Sequence, residues 1–362
     1  MIKFVHTGDL HLGLKFNNVS FQGDKASERR RELWSTFERI VDYAKDEKAD
    51  FLLIAGDLFE ESYFTIGDIN RIRDVFKNAE DVNIIISAGN HDFIGKNSLY
   101  NRVQWTDNVT IFNGEGIQQK EFKELNTVIY GYSWDMVEIR ENNLLNGLNN
   151  KVDKEKNNIL VIHGDVSNNS SYLPLNIQDL NSLNMDYIAL GHIHKPQIIS
   201  NKIAYCGCPE PLDFGETGER GIIKVSIDNK KLEFELFPFS KRKFLEIEVE
   251  IDESMGYVDI VQKLKNINIG NKSMDFYRIN LKGFIQRNIV IEDLHKDIES
   301  EFYHIELVDK TIWDYDLQLL EEDNRDNIIG QFISSMKEKG LDNPMIKDAL
   351  YFGLEALLKE RE

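Results

Sequence analysis

The chain has 362 residues, of which 41% are hydrophobic and 29% are charged, and its formal net charge at pH 7 is −19. That length suggests about two domains, and the apolar fraction is sufficient for a large core. The acidic balance argues against a surface devoted wholly to nucleic acid, which is usually basic, but it does not exclude a phosphodiester substrate, because bound divalent cations invert the local charge of a site.

Cysteine usage and hydropathy point to a reducing, aqueous compartment. Cys206 and Cys208 are separated by one residue, which is a poor spacing for a mutual disulfide and offers too few ligands for a zinc site. We expect both to be small buried side chains. No charged-then-apolar leader opens the sequence, and no apolar run reaches the roughly twenty residues of a membrane span. A cytoplasmic protein without a membrane partner is therefore predicted.

The first two thirds of the chain alternate apolar, strand-like runs with helical patterns. Helices are predicted at 27–46 and 66–77, where apolar residues recur at helical spacing. The predicted strands are 2–5, 51–55, 83–87, 109–112, 128–131, 159–163 and 187–191, followed by an all-β region at 203–206, 221–227 and 232–238. This alternation predicts an α/β fold, in the form of a two-sheet α/β sandwich.

The pattern changes near residue 240. Strands at 244–251, 276–282 and 304–308 alternate with helices at 257–266 and 291–300, which predicts a smaller α+β unit. An acidic segment at 314–326 precedes two helical patterns, 328–339 and 344–359, whose apolar stripes suit either the protein's own core or a partner. The predicted domains are therefore 1–240, 241–312 and 313–362.

Side chains that bind metals are concentrated in five blocks, each directly after an apolar strand. Loops at strand ends are where α/β sheets build their sites, and carboxylates and imidazoles are ligands for manganese, iron and zinc. Five of the eight histidines fall in these blocks, which are Gly8-Asp9-Leu10-His11, Gly56-Asp57, Gly89-Asn90-His91-Asp92, His163-Gly164-Asp165 and Gly191-His192-Ile193-His194.

The blocks supply two Asp, one Asn and four His as plausible ligands, with one histidine to spare. That is too many for one ion. It suits two ions about 3.5–4 Å apart that share a bridging carboxylate, an arrangement that orients an in-line attack on phosphorus. The alternative is that the histidines after these five strands are core residues with hydrogen-bond partners inside the protein, and it is disfavoured.

In this order the five blocks resemble the calcineurin-like metallophosphoesterases over most of residues 1–200. The resemblance implies two divalent metal ions, with manganese expected and iron or magnesium as alternatives. His91 is implied not to ligate but to stabilise the transition state or to protonate the leaving oxygen. The implied ligands are Asp9, His11, Asp57 and His194 for one ion, and Asp57, Asn90, His163 and His192 for the other, with Asp57 bridging.

Within that superfamily, the segments 6–13, 56–59 and 191–196 resemble the SbcD-type DNA repair exonucleases, and 207–221 is similar to their YhaO-like branch. The resemblance implies a metal-dependent DNA exonuclease/endonuclease that hydrolyses phosphodiester bonds by a two-metal mechanism. It would be the nuclease subunit of a double-strand-break repair complex, cytoplasmic and associated with the nucleoid.

The same resemblance implies partners. DNA would be the substrate, and an SbcC-type coiled-coil ATPase would bind the terminal helices, while residues 241–312 stand where the family has a DNA-capping domain. The helical segments 66–77 and 97–105, which flank the blocks, are candidates for a homodimer interface.

Two residues depart from the family pattern, Glu60 and Cys208. Cys208 stands where a small polar residue is expected, and a packing role is favoured for it over a redox role. Glu60 stands three residues after Asp57, where some members have a histidine implicated in exonuclease action. A carboxylate cannot donate a proton at neutral pH unless its pKa is raised, so the resemblance does not set the exonuclease-to-endonuclease balance. Two other functions stay open, namely a phosphoprotein phosphatase or small-molecule phosphodiesterase on the same fold, and a non-catalytic scaffold subunit. A phosphatase would commonly carry an arginine shortly after Asp57, and residues 58–62 contain none.

Several other features have ordinary structural interpretations. We expect residues 28–32, Glu-Arg-Arg-Arg-Glu, to be the solvated start of a helix rather than a DNA patch. Core packing is favoured for Trp105, Trp134 and Tyr172. The candidates for phosphate contact near the blocks are Lys15, Lys96 and Lys195.

Overall fold

The computed structural model describes residues 1–16, 24–140, 143–167, 170–252, 254–286 and 288–359. The chain divides into two compact units, Met1–Lys243 and Phe244–Glu362. Among the helices described, none is both long and apolar enough to cross a membrane.

The first unit contains two mixed sheets. Its helices are α1 (Asp24–Asp46), α2 (Ile66–Lys77) and α3 (Ile177–Ser182). Its strands are β1 (Ile2–Thr7), β2 (Phe51–Ile54), β3 (Asn83–Ile86), β4 (Val109–Ile111), β5 (Gln118–Phe122), β6 (Thr127–Tyr132), β7 (Asn157–His163), β8 (Tyr187–Gly191), β9 (Gln197–Ser200), β10 (Ile203–Tyr205), β11 (Gly221–Asp228) and β12 (Lys231–Pro238). One sheet has the order β12-β11-β1-β2-β3-β4 and the other β5-β6-β7-β8-β10-β9.

The two sheets share one core, because alternate side chains of each strand point to opposite faces. In β7, Ile159 and Val161 join a cluster that also holds Phe4 and Leu53 of the first sheet. The neighbouring Leu160 and others from the second sheet build a separate cluster on its other face. Burial on both faces explains why the central strands are nearly continuous apolar runs rather than alternating ones.

Helix α2 shows how local sequence sets an element's start. The Thr65 side chain accepts a hydrogen bond from the Asp68 backbone N–H at 3.2 Å, and the Asp68 carboxylate accepts one from the Thr65 N–H at 2.9 Å. This capping box satisfies two otherwise unpaired donors at the helix N-terminus. The helix then buries Ile69, Ile72 and Phe76.

The second unit combines a parallel sheet with helices. Its sheet has the order β13-β14-β15, and its strands are β13 (Phe244–Ile251), β14 (Phe276–Ile285) and β15 (His304–Trp313). Its helices are α4 (Tyr257–Lys265), α5 (Ile291–Ile298), α6 (Leu317–Asp323), α7 (Ile328–Glu338) and α8 (Pro344–Lys359). One apolar cluster packs α4 and α5 on the sheet, and a second involves α7 and α8.

The predicted fold class is confirmed: the described chain is α/β, its first unit contains two sheets, and its last described elements are helices. Four of the described helices and strands were missed, α3, β5, β9 and α6. β5 and β9 are exposed sheet-edge strands with little apolar patterning, and α6 lies in the acidic segment. The helix expected at 97–105 is wrong, because only a short 3₁₀ segment, Leu99–Arg102, forms there.

The expectation of a solvated helix start at 28–32 is also wrong for two of its residues. Arg29 and Glu32 are buried and form an ion pair with each other. Arg29 also donates to the Pro211 carbonyl at 2.8 Å, and Glu32 accepts from Arg242 at 2.6 Å. Charges survive burial when they are paired and hydrogen-bonded, which one-dimensional charge patterning cannot show.

Candidate metal centre

The five blocks meet at one edge of the sandwich. β1, β2 and β3 are parallel neighbours in one sheet, and β7 and β8 are parallel neighbours in the other. Parallel strands bring their carboxyl ends to the same edge, so the loops that follow them come together. Cross-sheet hydrogen bonds fix this meeting point: the His192 backbone N–H donates to Asp9 at 3.0 Å, and His163 Nδ1 lies 2.9 Å from the Ala55 carbonyl.

The backbone of the blocks is held in conformations that L-residues seldom adopt. Asp9, His11, Asp57 and His192 have φ values of 48°, 45°, 51° and 102°. Non-glycine residues with positive φ cost energy and cluster at functional sites, where surrounding structure over-determines them. Four of the seven predicted ligands are in this class.

Asp9, His11 and His194 form one group of convergent donors. The Nε2 atoms of His11 and His194 are 3.0 Å apart. The Nδ1 atom of each ring contacts a glutamate, His11 to Glu60 at 2.7 Å and His194 to Glu216 at 2.5 Å. Because an ionised carboxylate can only accept hydrogen bonds, each Nδ1 carries a hydrogen, and Nε2 presents a lone pair to the site whenever the ring is neutral.

Asp57 lies between this group and a second one. Its Oδ2 atom is 3.8 Å from His11 Nε2 and 3.3 Å from His163 Nε2. His163 Nε2 is also 3.0 Å from the side-chain oxygen of Asn90. Burial alone would raise the pKa of Asp57, but the charge and hydrogen bond of His163 and the charge of His11 hold it below its usual range. One carboxylate is thus within reach of histidines from both sheets.

His192 lies beside His163, and their rings are in contact. Its ring centroid is 5.1 Å from that of His163 and 5.1 Å from that of Tyr172. Tyr172 in turn stacks on Trp134, which is fully buried and donates its indole N–H to the His163 carbonyl at 2.7 Å. The core expectation holds for Trp134 and is wrong for Tyr172, which is 37% exposed.

His91 occupies the open side of the centre. Its backbone N–H donates to Asp57 at 2.9 Å, and 43% of its side-chain surface is exposed. Its Nδ1 atom is 3.0 Å from Glu60, whose other oxygen contacts His11. Hydrogen bonding to Glu60 raises the pKa of His91. Burial opposes ionisation of Glu60, yet the hydrogen bonds from His11 and His91 lower its pKa to about 2, so Glu60 is an acceptor at neutral pH.

Two buried features hold the loops in register. Asp92 accepts from the backbone N–H groups of Gly89 at 2.7 Å and Leu58 at 2.9 Å, and from the Tyr100 hydroxyl at 2.7 Å. Burial and the charge of Asp57 raise its pKa to about 6. Gly56, at φ +90°, passes so close to His163 that a Cβ atom would lie 2.1 Å from its Nδ1. No larger residue fits there without displacing the histidine.

These donors fit divalent cations. Asp9, His11 and His194 offer ligand atoms within 4.8 Å of one another, as do Asp9, Asp57 and His163. Carboxylate oxygens and neutral imidazoles are the ligand types of manganese, iron and zinc. Without a cation, the 3.0 Å contact between the Nε2 atoms of His11 and His194 needs a hydrogen on one of them, and a shared cation would take the place of that hydrogen.

The structure brings the sequence-predicted residues to one place, and it adds residues that had no predicted role. In the sequence, Glu60 is only a departure from the family pattern, and its two histidine contacts were not predicted. Glu216 and Asp92 had no predicted task. A carboxylate that pairs with a histidine from a distant part of the chain leaves no periodic signal in the sequence. Of the phosphate-contact candidates, Lys15 lies 4.2 Å over the Tyr63 ring.

An α/β sandwich with carboxylates and imidazoles converging at one strand edge defines a class, the metal-dependent phosphoesterases. The calcineurin-like phosphoesterase family model matches residues 2–196, and the chain belongs to that family. The predicted superfamily is therefore confirmed, and with it a hydrolase of phosphate esters that uses divalent metal ions.

Individual relatives are more distant. The chain is 29% identical over 246 residues to the uncharacterized metallophosphoesterase YhaO of Bacillus subtilis (strain 168). That alignment covers 65% of this chain and 59% of YhaO. It is 27% identical to the SbcD subunit of the nuclease SbcCD of Staphylococcus epidermidis, over 84% of this chain and 89% of that one. The corresponding protein of Staphylococcus saprophyticus is 24% identical over 95% and 98%.

Among solved structures, a dimetal phosphatase from Danio rerio matches with a TM-score of 0.37 and 12% identity, over 62% of this chain and 92% of that chain.

Proposed function

We propose that the protein is a DNA exonuclease/endonuclease that cleaves phosphodiester bonds with two divalent metal ions, most simply manganese. Asp9, His11, Asp57 and His194 would hold one ion. Asp57, Asn90, His163 and His192 would hold the other. The similarity to two nuclease subunits over most of their length supports a nuclease.

The position of Glu60 is the observation that favours a phosphodiester substrate over a phosphomonoester. An ionised carboxylate lies beside His91, where a phosphatase would commonly supply a cation. A phosphomonoester carries close to two negative charges near neutral pH and a phosphodiester carries one, so a nearby anion disfavours the monoester more strongly. The centre is thus better suited to a backbone phosphate than to a phosphoserine or phosphothreonine.

The chain's own residues have distinct tasks in this reaction. Two ions held by these residues would supply Lewis-acid polarisation of the phosphate and of the attacking water. The water oxygen bonds to phosphorus and releases a proton to the solvent, while the bond from phosphorus to the leaving oxygen breaks. His91, exposed on the open side, donates its proton to that leaving oxygen, which leaves as a hydroxyl. Glu60 accepts from His91 Nδ1 and so directs the opposite ring nitrogen, Nε2, outward.

We place the chain in a DNA repair complex with an SbcC-type coiled-coil ATPase, docked on α7 and α8. These helices bury Ile333 and Leu350 in their own cluster. They also leave Ile328, Met345 and Phe352 exposed at 68%, 79% and 62%. Exposed large apolar side chains on helices suit recognition by a partner groove. Residues 241–312 are assigned to DNA capping by their position in the chain.

A cleavage assay tests the function directly. End-labelled duplex and single-stranded DNA are incubated with Mn²⁺, Mg²⁺ or EDTA, beside a phosphomonoester such as p-nitrophenyl phosphate. Metal-dependent shortening of DNA with slow monoester hydrolysis is expected. Rapid monoester turnover without DNA cleavage would instead identify a phosphatase, and full metal loading without either activity would identify a scaffold. A pull-down with the ATPase, comparing Phe352→Ser with the unaltered chain, tests the docking assignment.

A further inference from the structure

The segment 207–220, which follows β10, encloses His194 from behind. It contains the motif Gly-Cys-Pro-Glu-Pro-Leu-Asp-Phe-Gly-Glu, and the proposed reaction assigns no task to it. Three of its side chains, Cys208, Glu216 and Arg220, contact His194 or each other, and we refer to these three as the His194 clamp. Cys208 and Arg220 are buried, with exposures of 0% and 2%.

The clamp fixes the His194 backbone first. The His194 carbonyl accepts from the Cys208 backbone N–H at 3.0 Å and from the Arg220 guanidinium. Arg220 also donates to the carbonyls of Glu216 and Thr217, both at 3.2 Å. Gly207, at φ +68°, makes this approach feasible, because a Cβ atom there would lie 2.6 Å from the His194 carbonyl oxygen.

The clamp also fixes the His194 ring. One Glu216 oxygen accepts from His194 Nδ1 at 2.5 Å. The other accepts from the Leu212 backbone N–H at 2.6 Å and from the Cys208 thiol at 3.0 Å. Both oxygens are therefore engaged as acceptors, and Glu216 is anchored independently of the ring that it orients.

His194, Cys208 and Glu216 also offer ligand atoms within 4.8 Å of one another, so a separate metal site has to be considered. Two contacts argue against it. The Arg220 guanidinium lies 3.7 Å from the Cys208 sulfur, and a second cation in that space would be repelled. The Leu212 N–H also donates to Glu216, and an amide hydrogen faces an acceptor rather than a cation. The cluster is a hydrogen-bond network.

We propose that Glu216 is a positioning residue for the metal centre, which holds the His194 ring so that Nε2 faces the ion shared with Asp9 and His11. This inference rests on the proposed assignment of His194 as a ligand. A carboxylate on the far nitrogen of a ligand histidine fixes its tautomer and raises its basicity, and removing such a partner typically lowers metal affinity by about 10- to 100-fold.

Glu216→Gln is the sharpest variant, because the side chain keeps its shape and loses only one acceptor. If the Gln oxygen serves His194, its NH₂ group faces the Leu212 N–H, and two donors cannot pair. Glu219→Gln is the matched control: it makes the same change three residues away, on a side chain that is 60% exposed. His194→Ala marks the full loss of that ligand.

The measurement is Mn²⁺ binding to the full-length, metal-stripped chain, by titration calorimetry and electron paramagnetic resonance. Two ions are expected in the unaltered protein and in Glu219→Gln. In Glu216→Gln the affinity for one ion should fall about 10- to 100-fold. At two equivalents the signal of a coupled pair should give way to that of isolated Mn²⁺, as in His194→Ala.

Wild-type affinity for both ions in Glu216→Gln would overturn the proposal, as would an equal loss in Glu219→Gln. Circular dichroism of each metal-stripped variant checks folding. If Glu216→Gln is unfolded, the titration is made on Glu216→Asp, which keeps the charge but shortens the reach, and the same loss is expected. If both are unfolded, Glu216 is a structural residue and the proposal fails. Because the readout is binding, a protein that loads two ions but leaves DNA intact refutes the nuclease assignment alone.

Discussion

The two halves of the candidate metal centre have similar proposed ligands but different surroundings. On the His11 side, both ring Nδ1 atoms contact glutamates, Glu60 and Glu216. On the His163 side, the His163 Nδ1 atom contacts the Ala55 backbone carbonyl, and the His192 ring lies against Tyr172. A carboxylate partner makes an imidazole a more basic ligand than a neutral carbonyl does. We therefore expect the ion on the His11 side to be held more tightly, and Asp57 to connect the two.

Replacing Asp57 should have the largest effect, because it removes the residue common to both halves. In Asp57→Asn we expect turnover below detection and reduced content of both ions, since Oδ2 is within 3.8 Å of histidines on each side. Metal analysis beside the nuclease assay measures this. Asp135→Asn, the same change at an exposed residue, is the control. Near-normal turnover in Asp57→Asn would refute the two-metal assignment.

Replacing His91 should separate chemistry from metal binding. His91→Ala is expected to lower turnover by about 10²- to 10⁴-fold, the usual contribution of a positioned general acid. Both ions should stay bound, because the ring is exposed and is not needed to complete either proposed ligand set. Metal content is measured on the same samples. A variant that loses metal would show that His91 is a ligand. This outcome is feasible, because His91 offers a ligand atom within 4.8 Å of those of His11 and Asp57.

The sequence was sufficient for the architecture and for the ligand candidates, for a physical reason. Buried parallel strands require apolar runs, and the loops after them have to carry the polar chemistry, so both leave local patterns. The partition of the site into unequal halves leaves no such pattern. Glu216 reaches His194 across 22 residues of chain, and Glu60 connects His11 with a block 31 residues further on. Only the folded chain shows these contacts.

The same limit explains the errors about the burial of single residues. Arg29 belongs to a run of charges that is typical of a solvated helix, but its partners include the carbonyl of Pro211, 182 residues away. Tyr172 has an aromatic side chain of the kind that often fills a core, but its exposure depends on where the loop after β7 lies. Pairings between residues distant in sequence decide both cases.

Replacing Glu60 should affect the two functions that it connects. His11 and His91 contact different oxygens of Glu60, so in Glu60→Gln the one remaining oxygen can lie against either histidine, while the other histidine faces the NH₂ group. We expect the Mn²⁺ affinity on the His11 side to fall about 10-fold and turnover at saturating Mn²⁺ to fall less than in His91→Ala. Glu216→Gln should lower affinity while leaving turnover at saturating Mn²⁺ much closer to normal, because it does not touch His91.

The double variant Glu60→Gln, His91→Ala decides whether the effect on turnover passes through His91. If it does, Glu60→Gln should not reduce turnover further once His91 is absent, because interacting residues are not additive. Additive losses in the double variant would mean that Glu60 acts on the metal alone.

The smallest effect is expected from the aromatic support of the His163 side. The Tyr172 ring lies 5.1 Å from the His192 ring, and such contacts contribute about 0.5–1.5 kcal/mol. Tyr172→Ala should therefore weaken the second ion by about 2- to 10-fold, and it should leave the ion on the His11 side unchanged. Tyr172→Phe keeps the ring and is the control, so it should bind both ions normally. A Tyr172→Ala protein that loses both ions equally would show that the two halves are not held independently, and the comparison between their surroundings would then have no consequence for binding.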